Sequence, residues 1–113
     1  MDQLPISADS HITEPPDCYR GHIEAAYRER APHVVRDPKY GDMYVVEGMK
    51  QTIPMGLVAA AGVEPSSIRV GGARFEDLHR GGWDPAARLV DQDKDGVGAE
   101  IIYPTVGMVL CNH

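Results

Sequence analysis

The 113-residue sequence contains no apolar run near the roughly 18 residues that a membrane-spanning helix requires. Its first residues form neither a basic segment nor an apolar one, so we expect no secretory signal. Basic side chains are in the minority, because 11 Lys and Arg stand against 17 Asp and Glu. No Lys/Arg-rich block occurs either. We therefore expect neither nucleic acid nor a membrane as a partner.

Cysteine is scarce too. Cys18 and Cys111 lie far apart and fit no CxxC spacing, so we expect two free thiols in a cytoplasmic protein. The sequence also lacks internal repeats, low-complexity segments and the G-x-S-x-G motif of a nucleophile elbow. Its length and its 42% content of hydrophobic residues fit one small globular domain.

Two parts of the chain have regular patterns, and a less regular insertion separates them. A first strand is predicted over residues 5–11, and the double proline that follows stops it. A helix and then a strand are predicted within 84–104, because Asp84 and Pro85 suit a helix start. This helix-then-strand unit is typical of α/β folds. Within the insertion, about 17–83, we expect a helix over 18–31, a hairpin over 42–53, a short buried helix over 56–62 and a glycine-rich loop over 70–82.

The stretch "ADSHITEPPD" contains the strongest candidates for a functional site. Asp9 and His11 stand two apart in the predicted strand, so their side chains project to the same face. Carboxylate and imidazole are both ligands for zinc or manganese. Glu14 follows three residues later and would fold back over the same place. The alternative is that Asp9 and Ser10 only cap the turn and that His11 has no ligand role.

A calcium loop is a weaker alternative. "DQDKDG", from Asp91 to Gly96, matches the first half of an EF-hand loop. That loop needs a bidentate acid at its twelfth position, where this sequence has Ile102. The segment therefore fits a solvated acidic helix end better. His22 falls on the polar side of the predicted first helix, where we expect a surface role. His33 and His79 lie in predicted loops and have no neighbouring acid or cysteine at ligand spacing.

The order of these motifs resembles the amidohydrolase-related family, the branch that includes aminocarboxymuconate-semialdehyde decarboxylase. The resemblance rests on "ISADSHITEPPD", "RAPHVV", "YVVEG" and "WDPAARLVDQDKDGVGAEIIYPT". It implies the N-terminal portion of a metal-dependent (β/α)8 TIM barrel, incomplete in this chain. It also implies that Asp9, His11 and Glu14 bind zinc or manganese at a strand end.

The resemblance further implies a metal-dependent hydrolase or decarboxylase that acts on a small-molecule substrate. The family's later metal ligands and its late-strand aspartate have no counterpart here. We therefore expect a truncated N-terminal piece that is inactive alone, and we assign no catalytic residue. A non-catalytic, self-associating module is the alternative. In either case we expect the isolated chain to self-associate or else to be only marginally folded. The strand "AEIIY" and the apolar residues 106–110 need cover, and the chain has too few strands to close a barrel.

Overall fold

A computed structural model describes residues 3–112, apart from the side chain of residue 57. These residues form five short strands and four α-helices, and short 3-10 segments lie between some of them. The elements in chain order are β1 (Ile6–Ile12), α1 (Cys18–His22), β2 (His33–Asp37), β3 (Gly41–Val45), β4 (Ile53–Pro54), α2 (Met55–Val58), α3 (Pro85–Asp95), β5 (Ala99–Pro104) and α4 (Thr105–Leu110).

The strands form two separate sheets. β1 and β5 make a two-stranded parallel sheet, and β2, β3 and β4 make a three-stranded antiparallel sheet in that order. The expected portion of a (β/α)8 barrel is therefore wrong, and the described residues form a small α/β domain. A barrel portion needs successive β/α units. The segment between β1 and α3, which contains prolines and glycines, instead forms antiparallel strands and short helices.

The helix before β5 follows its sequence signals closely. Asp84 lies at the N-cap, and its Oδ1 accepts hydrogen bonds from the backbone N–H of Ala86 and Ala87. Pro85 occupies the first helical position, where its missing N–H costs nothing. Gly96 ends the helix in the left-handed conformation, with φ of 67°. The prediction of a helix followed by a strand in residues 84–104 is confirmed.

The insertion departs from prediction at two helices. The expected helix over 18–31 is split, because Ile23 is extended and only a 3-10 segment, Ala25–Arg30, follows. In a continuous helix, Tyr27 would lie on the apolar face. Its side chain is exposed, so that face has no core to pack against. The expected helix over 56–62 is a single turn.

The hairpin prediction is confirmed in part. β3 pairs with β4, and Gly48 lies in the connection with φ of 86°. The longer pairing, between β2 and β3, was not predicted. Residues 106–110, expected to extend an apolar strand run, belong to α4 instead.

The core lies on one side of the molecule. It joins Tyr44 and Val46 from the β3 region to Met55 of α2 and Val106 of α4. Helix α4 follows β5 directly, so it connects the parallel sheet to this core. No helix among residues 3–112 is long and apolar enough to cross a membrane.

Candidate functional site

Asp9 and His11 lie together at the carboxyl end of β1. The distance from His11 Nε2 to Asp9 Oδ1 is 3.0 Å, as their spacing along the strand predicts. Both side chains face solvent, with 80% of Asp9 and 47% of His11 exposed. His11 stands opposite Tyr103 of β5, and the two ring centroids are 5.9 Å apart. The pair therefore lies in the carboxyl-terminal half of β1, next to the edge where ligands commonly bind in open α/β sheets.

A bulge in β1 comes just before His11 and includes Asp9. The register shifts between Ser7 and Ser10, so β1 carries one more residue than β5 over this stretch. The two serine hydroxyls, three residues apart, lie 2.7 Å from each other. In a regular strand they would face opposite sides. Bulges commonly re-aim side chains next to sites, and Asp9 lies within this one.

Glu14 does not join Asp9 and His11. It is buried and uses both carboxylate oxygens within the fold. Its Oε1 accepts hydrogen bonds from the Tyr19 hydroxyl at 3.0 Å and the Gly107 N–H at 2.8 Å. Its Oε2 accepts from the N–H groups of Thr105 and Val106. Glu14 thus caps the start of α4, so its predicted return to the metal ligands is wrong.

The donor set fits a divalent cation only in part. Carboxylate and imidazole suit zinc and manganese, and two ligand atoms of a tetrahedral zinc ion lie about 3.3 Å apart. The 3.0 Å between His11 Nε2 and Asp9 Oδ1 is a hydrogen bond, so a metal ion would have to replace that bond and separate the two atoms slightly. Within residues 3–112, however, no three His, Cys, Asp or Glu side chains come together. A catalytic zinc site usually has three protein ligands and a water, so this pair supplies two.

A partly buried ion pair holds the strand end in place. Arg88 of α3 donates from Nε and from a terminal nitrogen to the two oxygens of Glu100, at 2.6 and 2.9 Å. Its other terminal nitrogen donates to the carbonyl oxygens of His11 and Gly81. The Arg88 guanidinium lowers the pKa of Glu100 to about 2, and Gln92 and Ser10 contribute to the shift. Arg88 therefore ties α3, β5 and the end of β1 together.

A second histidine–acid pair was not predicted. His79 Nε2 lies 2.6 Å from Asp91 Oδ2. Gly81 makes this approach possible, because a Cβ there would lie 1.9 Å from the same oxygen. Twelve residues separate His79 from Asp91, so no local spacing signals their contact. Asp91 belongs to the last turns of α3, where Lys94 also approaches it, which agrees with a solvated acidic helix end.

The two histidines line a single cleft. Its volume is about 420 Å³, and its walls come from the end of β1, the glycine-rich loop and α3. Arg88 and Glu100 lie in its wall, so the cleft is polar and carries both signs of charge. The glycine-rich loop of residues 70–82, expected as a linker or lid, packs here through His79 and Gly81.

Burial raises the pKa of three side chains that lie near Glu14. Desolvation raises the pKa of Tyr19, and the negative charge and hydrogen bond of Glu14 raise it further. Desolvation likewise raises the pKa of Tyr44, whose hydroxyl donates to the carbonyl oxygen of Glu14 at 2.9 Å. The pKa of Cys18 is raised too, first by burial. These groups stay protonated near neutral pH and serve the fold.

The chain matches no protein-family model, and no curated protein is significantly similar to it. The resemblance to the amidohydrolase-related family therefore rests on the motifs of the sequence alone.

Proposed function

We propose that the chain contributes two ligands, Asp9 and His11, to a divalent metal centre of a hydrolase or decarboxylase that acts on a small molecule. The 3.0 Å contact between the two donor atoms, in solvent at the carboxyl end of β1, carries the proposal. The motif resemblance to the amidohydrolase-related family supports it. A cytoplasmic location belongs to the same proposal and is supported by the free thiols of Cys18 and Cys111.

The residues of the chain have separate roles in this proposal. Asp9 and His11 would hold zinc or manganese, which when bound acts as a Lewis acid toward a water or a substrate oxygen. Arg88 fixes the His11 backbone through the His11 carbonyl oxygen. His79, oriented by Asp91 across the same cleft, is placed to move a proton. Two ligands hold a metal weakly, so we expect the chain alone to be inactive.

Calorimetric titration with Zn²⁺ and with Mn²⁺ tests the metal pair. The protein should carry Cys111→Ser, because an exposed thiol binds zinc by itself. We expect weak binding that His11→Ala and Asp9→Asn each abolish. His22→Ala is the matched control, since His22 is also exposed but bonds the Cys18 carbonyl oxygen. Tight binding that survives His11→Ala would refute the assignment.

A non-catalytic, self-associating module is a second candidate. The parallel sheet favours it, because Ile101 and Ile102 are adjacent in β5 and both are exposed. Successive strand residues face opposite sides, so both faces of this sheet carry exposed isoleucine. Parallel sheets are normally covered on both faces. Metal binding that Asp9→Asn and His11→Ala abolish would favour the first candidate, whether or not the chain self-associates, and self-association without any metal binding would favour the second.

A further inference from the structure

The contact between His79 and Asp91 decides which nitrogen of the imidazole is free to react. A carboxylate only accepts hydrogen bonds, so His79 Nε2 carries the hydrogen in the 2.6 Å bond to Asp91 Oδ2. The other ring nitrogen, Nδ1, then holds the free lone pair, and it has no hydrogen-bond partner among residues 3–112. It lies beside Gly62, where a Cβ would be 3.7 Å away, so no side chain at residue 62 covers it.

The pair formed by His11 and Asp9 is more open to water. Its two atoms are 3.0 Å apart, and 80% of the Asp9 side chain is exposed. Asp91 is only 30% exposed and lies closer to its histidine. Because water screens a less exposed charge less strongly, Asp91 stabilises positive charge on its imidazole better than Asp9 does. The His79 side chain is itself 48% exposed, so a reactant in solution can reach it.

His79 lies where two spaces of different polarity meet. It lines the polar cleft of about 420 Å³ and also a smaller space of about 180 Å³. The walls of the smaller space are mainly apolar and include Ala59, Ala60 and Leu78, and its lining contains no Asp, Glu, Lys or Arg. The apolar part of a small molecule can therefore occupy the smaller space while its polar part stays in the cleft.

We propose that His79 is the nucleophile of a second activity, the metal-independent hydrolysis of small esters with an apolar acyl group and a good leaving group. Nδ1 attacks the carbonyl carbon, and the bond from that carbon to the leaving oxygen breaks, so the leaving group departs with the electron pair. The acyl-imidazolium that forms is positively charged, and the Asp91 carboxylate stabilises it. Water then adds to the acyl carbon and gives a proton to the solvent. The acyl–Nδ1 bond breaks, which returns the lone pair to Nδ1 and releases the acid.

This activity is separate from the metal-dependent reaction, which the chain alone is expected to lack. Neither Asp9 nor His11 nor a metal takes part in any of its steps. The inference therefore goes beyond the proposed function, and assays in EDTA test it independently of Zn²⁺ binding.

Hydrolysis of p-nitrophenyl butyrate by the full chain in EDTA tests the activity. The protein should carry Cys111→Ser, because an exposed thiol also attacks esters. We expect a saturable rate above that of free imidazole at the same concentration, and His79→Gln should abolish its saturable part. His22→Gln is the matched control and should leave the rate unchanged, since His22 is exposed but its ring bonds a carbonyl oxygen, not a carboxylate.

Asp91→Asn separates a catalytic arrangement from a structural contact. It should lower the saturable rate roughly tenfold, because the imidazolium loses a hydrogen bond to a charged group. Brief labelling with diethyl pyrocarbonate, followed by peptide mass spectrometry, compares the histidines within one sample. His79 should react faster than His11 and His22, and Asp91→Asn should slow the labelling of His79 alone. Gly81→Ala should slow it too, because a Cβ there would lie 1.9 Å from Asp91 Oδ2 and displace the carboxylate.

Two results would overturn the inference. One is ester hydrolysis that His79→Gln leaves unchanged in the folded protein. The other is labelling of His79 that Asp91→Asn leaves equal or makes faster, since a pair that only holds the loop on α3 would expose the imidazole when broken. Should Gly81→Ala fail to fold, the Asp91→Asn comparison still decides.

Discussion

The two sheets of this molecule differ in what they bury. The antiparallel sheet supplies Tyr44, which is fully buried, and it packs against Met55 and Val106 of neighbouring helices. The parallel sheet leaves Ile6 67% exposed and Ile102 43% exposed. The antiparallel side therefore contributes most of the hydrophobic stabilisation, because that stabilisation scales with the apolar area removed from water.

The candidate site residues are distributed in the opposite way. Asp9 and His11 lie on the weakly buried parallel sheet, where solvent reaches them. Glu14 connects the two regions, since it follows β1 and caps α4, which packs on the antiparallel side through Val106. Arg88 acts within the parallel region, where it binds the end of β1. Substitutions in the antiparallel region should thus change folding, and substitutions at the parallel strand ends should change binding with little effect on folding.

Tyr44→Ala should have the largest effect on stability. It removes a buried aromatic ring and a hydroxyl that donates to the Glu14 carbonyl oxygen. We expect a loss of about 3–5 kcal/mol in the free energy of unfolding. Tyr27→Ala, on an exposed side chain, should change it by less than about 0.5 kcal/mol. Urea denaturation followed by circular dichroism measures both, and equal effects would show that the core lies elsewhere.

Glu14→Ala should come next, at roughly 3 kcal/mol, because it leaves buried backbone N–H groups of α4 without acceptors. This variant also separates the structural role of Glu14 from a ligand role. Zn²⁺ affinity, measured by calorimetry on the folded fraction, should match that of the unaltered chain. A selective loss of Zn²⁺ binding at unchanged stability would restore Glu14 as a ligand.

Local signals in the sequence were sufficient for only part of the fold. Asp84, Pro85 and Gly96 act within one helix, so the helix after residue 84 could be predicted from them. The same holds for Asp9 and His11, whose alternation within one strand places them together. Sheet membership depends on contacts between distant residues. For that reason the two separate sheets, and the absence of a barrel portion, could not be derived from strand and helix patterns.

The contacts of the site that the sequence did not predict also depend on residues that are distant in the chain. Asp91 reaches His79 because Gly81 admits its carboxylate, and nothing in the spacing of these residues indicates it. Glu14 lies close to His11 in sequence, which favoured a shared metal site. The N–H groups of α4, more than 90 residues away, are the partners that it binds instead.

A lower pH should weaken the contact between α3 and β5, with a smaller loss of stability. The folded pKa of Glu100 is about 2, below its ordinary 4.5, so the folded state favours the carboxylate. Its contribution is therefore fully present above about pH 5 and is lost as the pH falls toward 2. We expect this contribution to be about 1–3 kcal/mol, because the Glu100 side chain is only 12% exposed.

Glu100→Gln tests this contribution. At pH 7 it should lower the free energy of unfolding by that amount, and it should flatten the pH dependence between 5 and 2. Glu47→Gln breaks the exposed pair with Arg30 and should cost less than about 1 kcal/mol. Urea melts across this pH range check both variants, and parallel curves for Glu100→Gln and the unaltered chain would contradict the assignment to Glu100.

Ile102→Lys should have the smallest effect on folding and a clear effect on assembly. Ile102 is exposed on a sheet of only two strands, whose edges keep unpaired N–H and C=O groups. We expect the chain to self-associate through this sheet. Ile102→Lys should therefore shift sedimentation at micromolar concentration toward the monomer and change stability by less than about 0.5 kcal/mol. Val63→Lys, equally exposed in a loop, should leave association unchanged. A monomeric unaltered chain with a sharp, cooperative melt would show that the exposed sheet needs no partner.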